Sequence, residues 1–263
     1  MYRLSTLFLL LLLAACAGTV TAGDCSADPA RWARSAADGC LAMQAYGSEH
    51  AEVLVVVLHG DVSSGGPANY HRTLARRVAE ILPEAAVVAL VRPGYGDGEG
   101  RTSDGDLNDR RDHYTAANLA LVAGAVATLR ERTGARRVIA VGHSGGAATS
   151  ASILALHPGT LDGAMLLACP CNLTQLRIGR RPWARSVSPH SVVAQVPLTS
   201  QVAAYTGTAD SNTAPSLASD YVADLATRGV SAVFVAVPGA THNSILGDIW
   251  NTDFPQALLA MTR

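Results

Sequence analysis

Five residues, Gly142-His143-Ser144-Gly145-Gly146, put a hydroxyl where it can act as a nucleophile. They follow an apolar run rich in β-branched residues, 137–141, and lead into a helical pattern over 147–156. A serine caught between strand and helix must take a strained backbone conformation that lifts Oγ off the sheet, and flanking glycines give it clearance. The helix start sets free N–H groups and the positive end of a dipole beside that oxygen. The five-residue pattern alone is weak, since a glycine-rich turn can serve close packing only. The strand–turn–helix setting gives it weight.

A serine hydroxyl is a poor nucleophile at neutral pH and needs a base. Of the eight histidines, His242 stands in a loop after the last apolar run, behind Pro238-Gly239-Ala240-Thr241. His113 and His190 are rivals in irregular segments, and His143 is packed beside the serine but badly aimed to serve it. The imidazole in turn needs a carboxylate to fix its tautomer and stabilise its cation. Asp210 follows the run 201–206 through Gly207-Thr208-Ala209, whereas Asp220 and Asp224 lie on a helical pattern and read as solvated. Ser144, Asp210 and His242 are the expected nucleophile, acid and base.

These positions need a scaffold that gathers strand ends. Continuous apolar runs at 52–58, 85–91, 137–141, 163–168, 201–206 and 231–237 read as strands covered on both faces. Helical patterns fall at 68–81, 115–132, 147–156, 217–227 and 254–261, with Gly134, Gly159 and Gly229 just past helix ends. This alternation predicts an α/β fold with a mostly parallel central sheet and helices on both faces. A strand over 41–46 would add an antiparallel edge. In such sheets ligands bind beyond the carboxyl ends of the strands, where all three residues sit. Residues 41–263 read as one domain, with 23–40 as an N-terminal arm and a short cap at about 170–197.

From about residue 40 the chain resembles the α/β-hydrolase superfamily of serine hydrolases. The resemblance rests on His59-Gly60-Asp61, the elbow at Ser144, Gly207-Thr208-Ala209-Asp210 and Gly239-Ala240-Thr241-His242, in the family's order and approximate spacing. The stretch Val91-Arg92-Pro93-Gly94-Tyr95-Gly96 is similar to the family's loop after the next strand. Small bacterial esterases and prolyl-oligopeptidase-like hydrolases are the most similar subgroup. The resemblance implies an oxyanion hole made by the backbone N–H groups of Asp61 and Gly145, two donors aimed at a developing alkoxide. It also implies a substrate pocket that includes Tyr95 and is walled by Trp183. Asp61 is a departure, because many relatives carry an uncharged residue there. Its carboxylate would oppose an oxyanion, so it is expected to point away and lend only its backbone.

Composition narrows the chemistry further. All 20 cationic side chains are arginine. Without lysine, Schiff-base, PLP, Walker-A and kinase chemistry and a serine–lysine pair are all excluded. A net charge of −1 gives no electrostatic case for nucleic acid. No metal or organic cofactor is implied. Asp104-Gly105-Asp106-Leu107-Asn108 has the alternate acids of a calcium loop but lacks its later glycine and glutamate, so it reads as a solvated loop. Arg177, Arg180, Arg181 and Arg185 surround Pro182-Trp183 in the cap. They read as a solvated face, with a hold on a substrate carboxylate as the alternative.

The first residues read as an address. Residues 1–22 carry one cation, Arg3, a leucine-rich run over 7–13 and small residues after it, as in a signal peptide. Leu13-Ala14-Ala15-Cys16 resembles a bacterial lipobox, which would lipidate Cys16, and Val20-Thr21-Ala22 offers ordinary cleavage instead. Either route exports the protein, to the periplasm or to a membrane surface through a lipid anchor. Cys25, Cys40, Cys169 and Cys171 then form an even set in an oxidising compartment, with three pairings open. The expectation is an exported serine hydrolase acting on a small-molecule ester. A short peptide or amide is the alternative substrate, and an inactive hydrolase fold used for binding is the rival from another class.

Overall fold

The computed structural model describes Cys25 and residues 28–263. The expected signal peptide, the expected lipidation site Cys16 and most of the run to residue 27 lie outside the described residues. The elements run β1 (Trp32–Ser35), β2 (Gly39–Gly47), β3 (Val53–Leu58), α1 (His71–Ile81), β4 (Ala86–Leu90), α2 (Ala116–Thr133), β5 (Arg137–His143), α3 (Gly145–Leu156) and β6 (Gly163–Leu167). They continue with α4 (Leu173–Leu176), β7 (Gln201–Gly207), α5 (Ser216–Thr227), β8 (Ser231–Val237), α6 (Ile245–Asp248) and α7 (Phe254–Met261).

The eight strands form a single sheet in the order β1-β2-β4-β3-β5-β6-β7-β8. From β4 to β8 every neighbouring pair is parallel, while β1 and β2 add an antiparallel edge. The arm expected over 23–40 is therefore not separate, because β1 pairs with β2 from Trp32↔Ala42 to Ser35↔Gly39. Four residues with a single charge carry too little periodicity to announce a strand.

Alternation along β3 explains the two cores. Leu54, Val56 and Leu58 face one layer with Leu119 of α2, Ile153 of α3 and Tyr221 of α5. Val55 and Val57 face the other, with Leu74 and Val78 of α1 and Phe254 and Leu258 of α7. The expectation of strands covered on both faces fails at β8, which is the sheet edge and leaves Val233 48% exposed. Helix α2 is capped at its start by Thr115, whose side chain accepts from Asn118 N–H, and ends at Gly134 in a left-handed conformation.

Two disulfides resolve the open pairings: Cys25–Cys40 and Cys169–Cys171. The first holds residue 25 to the start of β2, and the second closes a small ring between β6 and the cap. Of the Asp104–Asn108 stretch, Asp104 accepts from Cys40 N–H and Asp106 from Asn108 N–H, so both carboxylates hold backbone. Among the described residues no group of three or more His, Cys, Asp or Glu is placed to hold a metal ion. Among them, too, no helix is long and apolar enough to cross a membrane.

Candidate active site

Strands β3 and β5 are neighbours, with β4 on the far side of β3. Chain crossovers therefore leave in opposite directions at this point and open a crevice beyond the strand ends. His59-Gly60-Asp61 follows β3 and Ser144 follows β5, so both enter that crevice.

Ser144 has φ 52° and ψ −118°, a left-handed backbone that a non-glycine residue adopts only under constraint. The constraints are visible. Ser144 N–H donates to Leu167 C=O at 2.8 Å, and a Cβ on Gly142 would lie 2.4 Å from Gly146 O. A Cβ on Gly146 would lie 2.3 Å from Leu58 O, so the helix start can rest on β3 only as glycine. This is why α3 begins at Gly145, two residues earlier than periodicity predicts.

His242 and Asp210 reach the serine from the ends of β8 and β7. Ser144 Oγ lies 3.0 Å from His242 Nε2, and His242 Nδ1 lies 2.9 Å from Asp210 Oδ2. The pairing sets the tautomer: Nδ1–H donates to the carboxylate, and Nε2 accepts from the serine hydroxyl. Asp210 also accepts from the backbone N–H of Asn212 and Thr213 and from Thr213 Oγ1, at 2.9, 2.8 and 2.7 Å. Burial works against its charge, but the bonds from His242 and Thr213 outweigh it and hold the carboxyl below its ordinary value.

Beside the serine, Gly145 is the first residue of α3, so its N–H has no acceptor within the helix. Among the described residues the N–H groups of Asp61 and Gly145 donate to nothing in the chain. The Asp61 side chain departs in part from expectation. It does not point far off: its Oδ1 lies 2.6 Å from where a Cβ on Gly145 would be. It is instead neutralised in place. Arg92 donates to Oδ1 at 2.9 Å, and Tyr114 donates to Oδ2 at 2.6 Å. Arg92 is fully buried. Burial works against its charge, yet Asp61, with Tyr114 and Tyr95 behind it, outweighs that and raises its pKa above the ordinary value.

A second hydrogen-bonded chain underlies the site. Gly60 N–H donates to Tyr70 Oη at 2.5 Å, Tyr70 donates to His143 Nδ1 at 2.7 Å, and His143 Nε2–H donates to the backbone oxygen of His242 at 2.9 Å. Burial lowers the His143 pKa to about 4, so the ring is neutral, as this chain requires. Burial also pushes Tyr70 up to about 12. The strand end before Asp61 is thus tied to the loop that carries His242.

The rivals are placed elsewhere. His113 is buried, accepting from Arg92 at Nδ1 and donating to Pro93 O. His190 bonds Asn172 and Asp224 away from the cleft, so Asp224 is paired rather than merely solvated. Tyr95, expected at the substrate, is fully buried behind Asp61 and does not line the cavity. Its ring is taken into the core by His59, at 4.8 Å, and by His113. Trp183 does line the cavity, seated 5.8 Å from the ring of Tyr114. Tyr70, Thr213, Arg92 and Tyr114 were not anticipated. Each touches its partner across 10 or more residues of chain, or as part of a turn, and no spacing marks such contacts.

The cavity over Ser144 has a volume of about 780 Å³. Its floor is Gly60, Asp61, Tyr70, His143, Ser144 and His242, and its rim comes largely from the segment after β4 and the cap, with residues 62–64 after β3 and a few residues after β7 and β8 completing it.

Comparison with known proteins agrees with this fold. Similar solved structures include an esterase of Pyrococcus furiosus, at TM-score 0.67 and 13% identity over 87% of this chain and 89% of that one. Est1E of Butyrivibrio proteoclasticus with ferulic acid bound matches at TM-score 0.66 and 15% identity, over 88% and 98%. An acylaminoacyl peptidase of Pyrococcus horikoshii matches at 0.63 and 14%, over 87% of this chain but 39% of that longer one. At such identities the likeness is one of fold. No curated protein matches the chain. Residues 55–260 match the alpha/beta hydrolase family. With most of its length matched and its sheet in the family's arrangement, the chain belongs to the alpha/beta hydrolase family.

Proposed function

We propose that this protein is an exported serine hydrolase that cleaves a carboxylic ester through an acyl-enzyme. The observation that carries the reading is the continuous line from Ser144 Oγ through His242 to Asp210, at 3.0 and 2.9 Å, beside two unengaged backbone N–H groups. Ser144 attacks the ester carbonyl as His242 Nε2 takes its proton. The tetrahedral oxyanion rests on the N–H groups of Asp61 and Gly145. His242, now a cation held by Asp210, protonates the leaving alcohol. Water then attacks the acyl-enzyme by the same route and frees Ser144.

An ester is favoured over an amide by the likeness to esterases over nearly whole chains. The likeness to 39% of an acylaminoacyl peptidase supports the second reading, a short peptide or amide. Export is supported by the leader and by the two disulfides, which persist in oxidising compartments.

A fluorophosphonate probe tests the core of this reading. Native protein should be labelled stoichiometrically, and Ser144→Ala not at all, with ester turnover reduced by about 10⁵-fold or more. Unlabelled native protein would leave a hydrolase fold used for binding. Graded p-nitrophenyl esters run against aminoacyl-nitroanilides separate ester from amide.

A further inference from the structure

The charge around the cleft has one sign. Four arginines line it, Arg110 and Arg111 from the segment after β4 and Arg177 and Arg180 from the cap. Asp61 is the one acidic side chain in the lining, and it is already paired with buried Arg92. Among the described residues none of the four makes an ion pair.

The neighbouring acids are drawn off. Asp106 and Asp112, on the same segment as Arg110 and Arg111, pair with Arg185 at 3.6 and 3.7 Å, and Arg185 also bonds Asn108. Arg185 does not line the cleft. This clamp ties the cap to the segment after β4 and occupies Asp106 and Asp112, while the exposed Asp109, next to Arg110, does not line the cleft. Two of the four cations are held in place. Arg110 donates to Val62 O at 2.7 Å and lies 5.3 Å from the Tyr95 ring. Arg177 donates twice to Arg181 O, at 3.0 and 2.8 Å, and lies 4.9 Å over the Trp183 ring. Like charges gathered at a cleft repel one another and raise the local concentration of anions. A guanidinium with free N–H edges matches a carboxylate with two parallel bonds.

We infer that the ester hydrolysed here carries a carboxylate, bound by Arg110, Arg111, Arg177 and Arg180 from the two sides of the cleft. The inference rests on the proposed role of Ser144. It also divides the cap arginines that the sequence left together: Arg177 and Arg180 face the cleft, and Arg181 and Arg185 do not.

Two matched pairs of esters test it. The p-nitrophenyl monoester of adipate against p-nitrophenyl hexanoate places the charge on the acyl side. 4-Carboxyphenyl butyrate against 4-acetylphenyl butyrate places it on the leaving side. At low salt one anionic ester should exceed its neutral partner in kcat/KM by about tenfold or more, chiefly through KM. The ratio should fall toward one near 1 M salt, where screening reaches about 3 Å, and in the variant with all four arginines changed to Gln. Arg181→Gln should keep the native ratio. If the fourfold variant fails to fold, Arg111→Gln with Arg180→Gln, whose guanidiniums make no hydrogen bond or ion pair among the described residues, should lower the ratio about threefold. Equal or better turnover of both neutral esters, or a preference that survives these changes, overturns the inference alone. No turnover of any of the four esters, together with no fluorophosphonate labelling, overturns the proposed function first.

Discussion

The floor and the rim of the cleft are built by different rules. On the floor, Ser144 and Asp210 are 9% and 5% exposed, and each functional side chain is fixed by at least two hydrogen bonds or by the backbone on either side. Those residues stand at the ends of strands whose ladder sets their spacing. The rim has no ladder. It is made largely of the segment after β4 and the cap, seated on the body by a small apolar cluster of Tyr114, Ala148 and Leu173 with Leu176 and Trp183, and farther along the cap by Cys171, Val187, Val192, Val193 and Val196 against the main core. Bond-forming groups need sub-ångström placement, which a parallel sheet supplies. Recognition of a substrate's remote parts tolerates loops and uses their variability.

Three measurements would break or sharpen this contrast. The largest effect is expected on the floor. Asp210→Asn should fold normally and lower kcat roughly 10³–10⁴-fold, because the amide favours the wrong His242 tautomer. Turnover within tenfold of native would mean that another group orients the base.

The next effect is on stability. His59, His71, His113 and His143 are all buried, and burial lowers each, His71 to about 3 and His113 and His143 to about 4. Below their ordinary value of 6.5 the unfolded chain binds protons that the folded one refuses. Stability should therefore be full above about pH 6.5 and fall toward pH 4, by about 1.4 kcal/mol per pH unit for each histidine. Asp210, held below its ordinary 3.8, loses its contribution only at lower pH still, so the histidines govern this window. Urea unfolding between pH 4.5 and 7.5 measures the slope, and His71→Leu should reduce it by about one proton. A flat profile would contradict the neutral, buried state assigned to these rings.

The smallest effect belongs to the rim. Trp183→Ala should raise KM a few-fold while kcat stays within about twofold, since the ring touches the remote part of a substrate and not the reacting atoms. An equal fall in kcat and kcat/KM would instead place Trp183 in contact with the transition state and erase the distinction between floor and rim.

The same contrast decides what the sequence could reveal. The floor is local in the chain. Ser144 lies between a strand and a helix that each declare their period, and Asp210 and His242 lie just past apolar runs, so the order of elements places them. The groups that support the floor are not local. Arg92 meets Asp61 across 31 positions and Tyr70 meets His143 across 73, and neither pair has a spacing rule. Tyr95 shows the converse, a polar aromatic in a plausible loop that the fold spends on its core. On the rim, the cap arginines are visible as a cluster, but the side each faces depends on Asp106 and Asp112 from another segment. β1 is too short to be read, and β8 reads like its neighbours because apolar pattern alone does not tell an edge strand from a central one.

The antiparallel hairpin of β1 and β2, fastened by Cys25–Cys40, has a consequence for solubility. It lies before the residues that match the family, and β2 covers β4 from Met43↔Leu90 to Gly47↔Ala86. β4 reads Ala-Val-Val-Ala-Leu, with no charge and no proline. A chain begun at residue 52 would keep the whole catalytic floor, yet would present that strand as a bare edge with unpaired N–H and C=O groups. Such an edge pairs readily with copies of itself. The first strands thus act as a guard against aggregation, and the disulfide keeps the guard in place.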